Sequence, residues 1–226
     1  MTTLNHIGAA ALAFSVSGTA VSAASINIAR QNPGDTFGGD GNAPLTYTLP
    51  SFGDRTSLAG PFALTGDSGL GDFLAWCIEV GVALLPNDPG AYHVDPTAVS
   101  AAARTDLGKL VDTAFAGHNF SSDVEMAKYQ TAIWEIVYDS DEMSGATLAS
   151  GDYVITESND GAKAAAESFL NGLNGPKTGR YRLTYLQSDD SQNLLTATPV
   201  PLPAAGWMLI AGLGGLAALR RRAARA

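Results

Sequence analysis

The sequence is poor in the residues that build disulfide frameworks and metal centres. It has one cysteine, Cys77, which excludes an intramolecular disulfide. Its three histidines, His6, His93 and His118, have no zinc-like spacing. No phosphate-binding loop, His-Glu-x-x-His or Gly-x-Ser-x-Gly pattern occurs. The sequence therefore predicts no metal site, no cofactor and no familiar hydrolase signature.

Basic residues are also scarce. Lys and Arg number 13 against 22 Asp and Glu, and four of those 13 are arginines near the C-terminus. Residues 24–199 therefore carry nine basic and 22 acidic side chains, a net charge of −13. A surface of this charge repels nucleic acid and anionic lipid and attracts cations. We expect no nucleic-acid partner.

The first 23 residues have the composition of a secretory signal peptide. A stretch of Ala, Gly, Leu, Phe and Val follows His6, and Val21-Ser22-Ala23 is a small-x-small cleavage pattern. The n-region contains this histidine and no Lys or Arg. We therefore expect the chain to be exported, with a mature body that begins at residue 24.

Residues 200–226 predict a C-terminal membrane anchor. The segment Ala204–Leu219 is free of charge and slightly shorter than the ~20 residues of a typical spanning helix. It is followed by Arg220, Arg221 and Arg222, which the positive-inside rule places in the cytoplasm. The body, residues 24–199, would then lie outside the inner membrane.

This order of features resembles the VPLPA branch of the PEP-CTERM sorting signals of Gram-negative bacteria. The motif Val200-Pro201-Leu202-Pro203-Ala204 is complete and precedes the short apolar helix and the arginine cluster. The resemblance implies an inner-membrane precursor that an exosortase-type enzyme processes near the motif. It also implies delivery to the cell-envelope exterior or to an extracellular matrix such as that of a biofilm. A permanent, unprocessed tail anchor is the alternative.

The body has the length of one domain and the pattern of a mixed fold. Short apolar runs between turn residues predict strands, and apolar residues three or four apart predict helices. The predicted strands are Leu45–Leu49, Phe73–Val80, Tyr153–Thr156, Arg180–Leu186 and Asn193–Thr198, the last two as a hairpin. The predicted helices run from the Asp95–Pro96 cap to about Phe115, from the Ser122–Glu125 capping box through Tyr138, and from about Gly161 to Leu173. This order predicts an α+β domain with a β-sandwich or barrel-like sheet and a central helical insertion.

The second predicted helix carries an amide on its apolar face. Gln130 lies four residues after Met126 and four before Trp134, and Ile133 and Val137 share the same side. A buried amide without partners would cost about 1–3 kcal/mol. Gln130 is therefore either satisfied by ordinary hydrogen bonds or held there because its carbonyl reacts.

A partner for this amide is suggested by Cys77. The cysteine lies in a Trp-Cys-Ile-Glu sequence on a predicted core strand, and Gln130 lies in a hydrophobic-Gln-x-x-hydrophobic-Trp pattern. The two motifs resemble those of the thioester domains of bacterial surface adhesins. The resemblance implies an internal thioester between Cys77 and Gln130. It places Tyr129, Ile133 and Trp134 at the supporting hydrophobic and aromatic positions.

Three functions are compatible with these residues. A thioester would form by attack of the thiolate on the glutamine carbonyl with loss of ammonia, and an amine on another surface would then open it in a single round without turnover. Alternatively, Cys77 and Gln130 are an unreactive buried pair in a structural matrix protein. The third function is a cysteine hydrolase, for which His93 and His118 are the only histidines of the body available as a base.

The sorting signal leads to a first prediction. Because the VPLPA motif precedes a minimal spanning helix and an arginine stop, protein isolated from the cell exterior should lack Arg220–Ala226. Peptide mapping of the mature surface-associated protein by mass spectrometry tests this. Recovery of peptides from Arg220–Ala226 in most of the material would instead identify a permanent anchor.

Overall fold

A computed structural model describes residues 25–32, 35, 37, 41–85, 90–117, 122–139, 148–158, 161–171, 173 and 178–200. The predicted signal peptide and the sorting signal beyond Val200 lie outside these ranges, so both stay predictions. No helix within the described ranges is long and apolar enough to cross a membrane.

The described strands form a barrel and a smaller sheet. The strands are β1 Ile26–Arg30, β2 Ala43–Leu49, β3 Gly53–Ala59, β4 Phe62–Gly66, β5 Gly71–Cys77, β6 Gly90–Val94, β7 Val154–Ser158, β8 Tyr181–Gln187 and β9 Leu194–Pro199. Six of them close an antiparallel barrel in the order β1-β4-β5-β9-β8-β6, and the others form the sheet β3-β2-β7. The predicted α+β class with a barrel-like sheet is confirmed, and so is the hairpin of β8 and β9.

Three described helices complete the fold: α1 Ala101–Gly117, α2 Asp123–Asp139 and α3 Ala162–Asn171. α1 and α2 are inserted between β6 and β7, and α3 follows β7. The predicted cap of α2 is present, because Ser122 Oγ accepts a hydrogen bond from the Glu125 N–H at 3.3 Å. Sequence spacing therefore located α2 and α3 to within about two residues.

The predicted start of α1 at the Asp95–Pro96 cap is wrong. Asp95 does act as a cap, but the segment it caps is a three-residue 3₁₀ turn. Val99 then adopts an extended conformation, which interrupts helical geometry. α1 begins after Ser100, whose Oγ accepts a hydrogen bond from the Ala103 N–H at 3.1 Å. The chain has two successive caps, and the second one starts the helix.

β5 is shorter than the predicted core strand, and its C-terminal end is buried on both faces. It ends at Cys77 rather than at Val80, and the side chains from Ala75 through Ile78 are all buried. α2 packs against this end of the strand, with the Trp76 and Tyr129 rings edge to face at 4.9 Å. Because the helix covers the strand end, both faces of β5 are buried there.

α2 is packed between the barrel and the smaller sheet. On the side of the smaller sheet, Trp134 lies 5.9 Å from Tyr47 of β2 and 6.1 Å from Tyr153, which precedes β7. The two tyrosine rings are 5.4 Å apart. All three side chains are buried. Trp134 therefore joins the helix to an aromatic cluster on the smaller sheet.

Removal of the Trp134 ring should destabilise the whole domain. We expect Trp134→Ala to lower the free energy of unfolding by ~3–5 kcal/mol, because it leaves a cavity between tightly packed rings. Urea unfolding followed by circular dichroism measures the loss. Trp134→Phe keeps an aromatic ring and should cost clearly less. A Trp134→Ala variant that unfolds at the same urea concentration as the wild type would contradict this packing.

A carboxyl group is buried beside this helix interface. Glu135 is 1% exposed, and its Oε2 has no hydrogen-bond partner. Burial, followed by the nearby carboxylates of Asp139 and Glu167, raises the pKa of Glu135 to about 8. The side chain is therefore protonated in the folded protein at neutral pH and ionised in the unfolded chain.

This buried acid should make stability depend on pH. Between the ordinary pKa of 4.5 and the folded value of about 8, the folded state binds more protons than the unfolded state. The contribution of Glu135 to the free energy of unfolding therefore falls as pH rises through that window. We expect Glu135→Gln to gain stability relative to the wild type across the same window in urea unfolding experiments. Parallel pH dependences for the two proteins would show that Glu135 is ionised in the fold.

Candidate functional site

The edge of β5 lacks a strand neighbour where Cys77 is located. β4 begins at Phe62, which pairs with Ala75, two residues before the cysteine. A regular continuation of β4 would place Gly60 opposite Cys77, but the chain there is crossing from β3 of the other sheet. Ile78 N–H, on the opposite edge, donates to Asn193 O and continues the pairing with β9. The backbone N–H and C=O of Cys77 therefore need partners from outside the sheet.

Gln130 supplies both partners. Its Oε1 accepts a hydrogen bond from the Cys77 N–H at 3.0 Å, and its Nε2 donates to Cys77 O at 2.7 Å. The side chain is 0% exposed. The carboxamide therefore takes the place of a neighbouring strand residue, and it brings the two residues singled out by the sequence into direct contact.

One face of α2 continues this edge pairing. Gln130, Trp134 and Tyr138 are four residues apart and share that face. Tyr138 Oη accepts a hydrogen bond from the Val80 N–H at 2.8 Å. Sequence analysis missed Tyr138, although its spacing of eight residues from Gln130 was the available signal. The helix thus satisfies backbone groups at both ends of the segment that carries the thiol.

The Cys77 thiol is buried and paired with backbone. Sγ donates a hydrogen bond to Glu79 O at 2.8 Å and accepts one from Glu79 N–H at 3.3 Å. Burial raises the pKa of Cys77 to about 12, although the Trp134 indole and the Glu79 backbone lower it in part. Trp134 Nε1 lies near enough to favour a thiolate, yet it makes no hydrogen bond of ordinary geometry. The resting sulfur is a neutral thiol.

The thiol stands off the face of the carboxamide. Because the Gln130 amide occupies the position of a strand neighbour, its plane lies close to the plane of the sheet. The Cβ of a strand residue leaves that plane roughly at right angles. The thiol of Cys77 therefore leaves the strand in a different direction from the backbone groups that bind Gln130, and it bonds to Glu79 instead.

Cys77 and Gln130 lie in the wall of a pocket of about 230 Å³. Among the described residues, none that lines it is charged. Leu58 and Val82 belong to its wall and are 50% and 38% exposed, so they form an apolar rim. The pocket therefore opens to the surface between apolar side chains, and its inner wall carries the thiol residue and the carboxamide.

The supporting residues from the sequence contribute to packing in two ways. Trp134 lines the pocket beside Cys77. Tyr129 is fully buried and packs edge to face on Trp76, and Ile133 is fully buried. Neither Tyr129 nor Ile133 belongs to the described lining of the pocket. These two residues therefore fix the helix rather than face a reactant.

The histidines considered as bases are not brought to the thiol by the described part of the chain. His93 lies on β6, which is opposite β5 in the six-stranded ring. His118 lies outside the described residues. By contrast, the structure adds Gln192, a residue of the β8–β9 turn that sequence analysis did not single out, to the pocket wall.

The site is defined by the geometry of its own residues. A thiol and a carboxamide share one buried wall, and the carboxamide is fixed by two hydrogen bonds to the backbone of the thiol residue. Comparisons with known proteins add nothing to this geometry, because no family model, curated protein or solved structure matches the chain.

Proposed function

We propose that this chain is an exported cell-envelope or matrix protein that forms an internal thioester and uses it once to attach covalently to an amine. The thioester joins Cys77 Sγ to Gln130 Cδ. The observation that carries the proposal is the burial of the Gln130 carboxamide directly against Cys77 in the wall of a neutral pocket. Holding the carboxamide against the residue that carries the thiol replaces a bimolecular encounter by an intramolecular step.

Formation of the thioester is a balanced acyl transfer. Cys77 Sγ attacks Gln130 Cδ, the Cδ–Nε2 bond breaks, and the thiol proton leaves with the nitrogen as ammonia. As the carbonyl becomes tetrahedral, negative charge develops on Oε1. The Cys77 N–H already lies 3.0 Å from that oxygen. It therefore acts as a fixed donor for the developing oxyanion.

Opening of the thioester follows the same logic in reverse. The nitrogen of an incoming amine attacks Cδ, the C–S bond breaks, and a proton from the nitrogen passes to the sulfur. The products are a stable amide at Gln130 and a free Cys77 thiol. Because burial raises the pKa of this thiol to about 12, the sulfur retains its proton. The amine stays bonded to the Gln130 side chain and no product is released, so we expect attachment without turnover.

The proposed location supplies the amine. The signal peptide and VPLPA-type tail would pass the body through the inner membrane to an exosortase-type processing enzyme and then to the exterior. The body carries a net charge of −13, which attracts ammonium groups such as surface lysines. The proposed partners are therefore the inner membrane before processing and an amine-bearing surface afterwards.

The second candidate function is a non-covalent structural protein of the matrix. It is favoured by the hydrogen bonding of the pair, because both ends of the Gln130 amide are satisfied by backbone. The thiol is likewise paired with Glu79. In this function Gln130 only closes the edge of β5, and the exported location stays the same.

Intact mass distinguishes these two functions. Freshly purified body should be lighter than its sequence by one ammonia, and methylamine should add in place of that ammonia while releasing one thiol. A full unmodified mass, with one thiol that titrates as soon as the untreated protein is denatured, would leave the structural function.

Three variants control the measurement. Cys77→Ala removes the nucleophile, and Gln130→Ala removes the carbonyl, so neither should show the mass deficit. Gln130→Glu is closest in shape but has no ammonia to lose, and it should also keep its full mass. A deficit that persists in any of them must come from another residue.

A further inference from the structure

Gln192 has a buried carbonyl without a partner at the pocket that holds Cys77 and Gln130. The residue is more than nine-tenths buried and lines this pocket. Its Oε1 is buried and accepts no hydrogen bond. A buried acceptor left unpaired costs about 1–3 kcal/mol, so native structures seldom keep one without a use for it.

The orientation of the Gln192 amide is fixed by its other end. Nε2 donates to Glu79 O at 3.1 Å and to Val82 O at 2.6 Å. Only an NH₂ group can satisfy two carbonyl oxygens at once, which assigns the nitrogen to this side. Oε1 therefore points away from the 79–82 turn and stays unpaired.

Gln192 is also close to the sulfur and firmly held. Cys77 Sγ and Gln192 Nε2 both donate to the same atom, Glu79 O. Tyr92 Oη donates a hydrogen bond to Gln192 O at 2.9 Å and lies 3.0 Å from Ser191 Oγ, which anchors the turn to β6. The residue that carries the unpaired oxygen is thus held firmly beside the sulfur.

We propose that Gln192 Oε1 accepts a hydrogen bond from the amine that attacks the Cys77–Gln130 thioester. This inference rests on the proposed function and identifies the residue that selects nitrogen nucleophiles. Among the described lining residues no carboxylate or histidine is present to do so. The neutral pocket favours an uncharged amine, and an acceptor orients its lone pair towards Cδ.

The hydrogen bond strengthens during the attack. When the amine nitrogen bonds to Cδ, it develops positive charge and its remaining N–H groups become better donors. One N–H proton transfers to the Cys77 sulfur as the C–S bond breaks. Another N–H donates to Gln192 Oε1 throughout. The amide oxygen of Gln192 removes no proton and is unchanged at the end.

Comparison of two nucleophiles isolates this role. A small thiol such as ethanethiol attacks as its thiolate and opens the same thioester by exchange, but it brings no N–H or O–H donor to the site. Thioester-bearing wild type and Gln192→Met are each treated with methylamine and with ethanethiol, and loss of the thioester is followed by intact mass. We expect the methylamine rate to fall about tenfold in the variant, with the thiolate rate unchanged.

A matched variant separates the oxygen of Gln192 from its nitrogen. Gln192→Glu keeps an oxygen acceptor but loses both donors to the 79–82 turn. The ratio of its methylamine rate to its thiolate rate should therefore stay at or above the wild-type value. If Gln192→Met does not fold, Gln192→Asn replaces it, because it withdraws the acceptor by one methylene and keeps an amide in the turn. Thermal unfolding reports folding of each variant.

The outcomes separate the inference from the function on which it rests. If Gln192→Met slows methylamine and the thiolate by the same factor, or leaves the ratio of the two rates at the wild-type value, the role of Gln192 is overturned while the thioester stands. A ratio that falls as far in Gln192→Glu as in Gln192→Met assigns the effect to the nitrogen and also overturns it. A wild type without the mass deficit overturns the thioester and this inference together.

Discussion

The unpaired backbone of Cys77 is the constraint on which the site depends. A buried N–H and C=O must find partners, and β4 does not extend far enough to provide them. Gln130 provides both from α2, which requires the helix to lie close against the end of β5. The hydrogen bonding of the Cys77 backbone and the proposed thioester thus require the Gln130 side chain at the same position.

The position of α2 is in turn fixed from several directions. Trp134 packs among the tyrosines of the smaller sheet, and Tyr129 packs on Trp76 of the barrel. At the C-terminal end of the helix, the carboxylate of Asp139 accepts hydrogen bonds from two backbone N–H groups just before β7. Close packing of this kind leaves the helix little freedom to shift along the strand. The carboxamide is therefore held in place before any reaction.

Local sequence patterns predicted α2 and singled out Gln130. The rest of the site depends on contacts between residues far apart in the sequence, which local patterns do not reveal. Capping and apolar spacing involve neighbours within four residues, so they located α2 and marked Gln130 as an exception on its face. Barrel closure joins residues such as Ile26 and Tyr92, which no local pattern relates, and β1, β3, β4 and β6 were not predicted. The bonds that orient Gln192 also span more than a hundred residues. Its position in a turn gave no indication of them.

β9 connects the site to the C-terminal side of the body. The strand runs from Leu194, the pairing partner of Cys77, to Pro199 and is flanked by β5 and β8 in the barrel. A body tethered beyond residue 199 and pulled through Gln130 would bear tension along the length of this strand. Hydrogen bonds between antiparallel strands lie across that direction. They would share the force in shear, instead of being peeled apart one pair at a time.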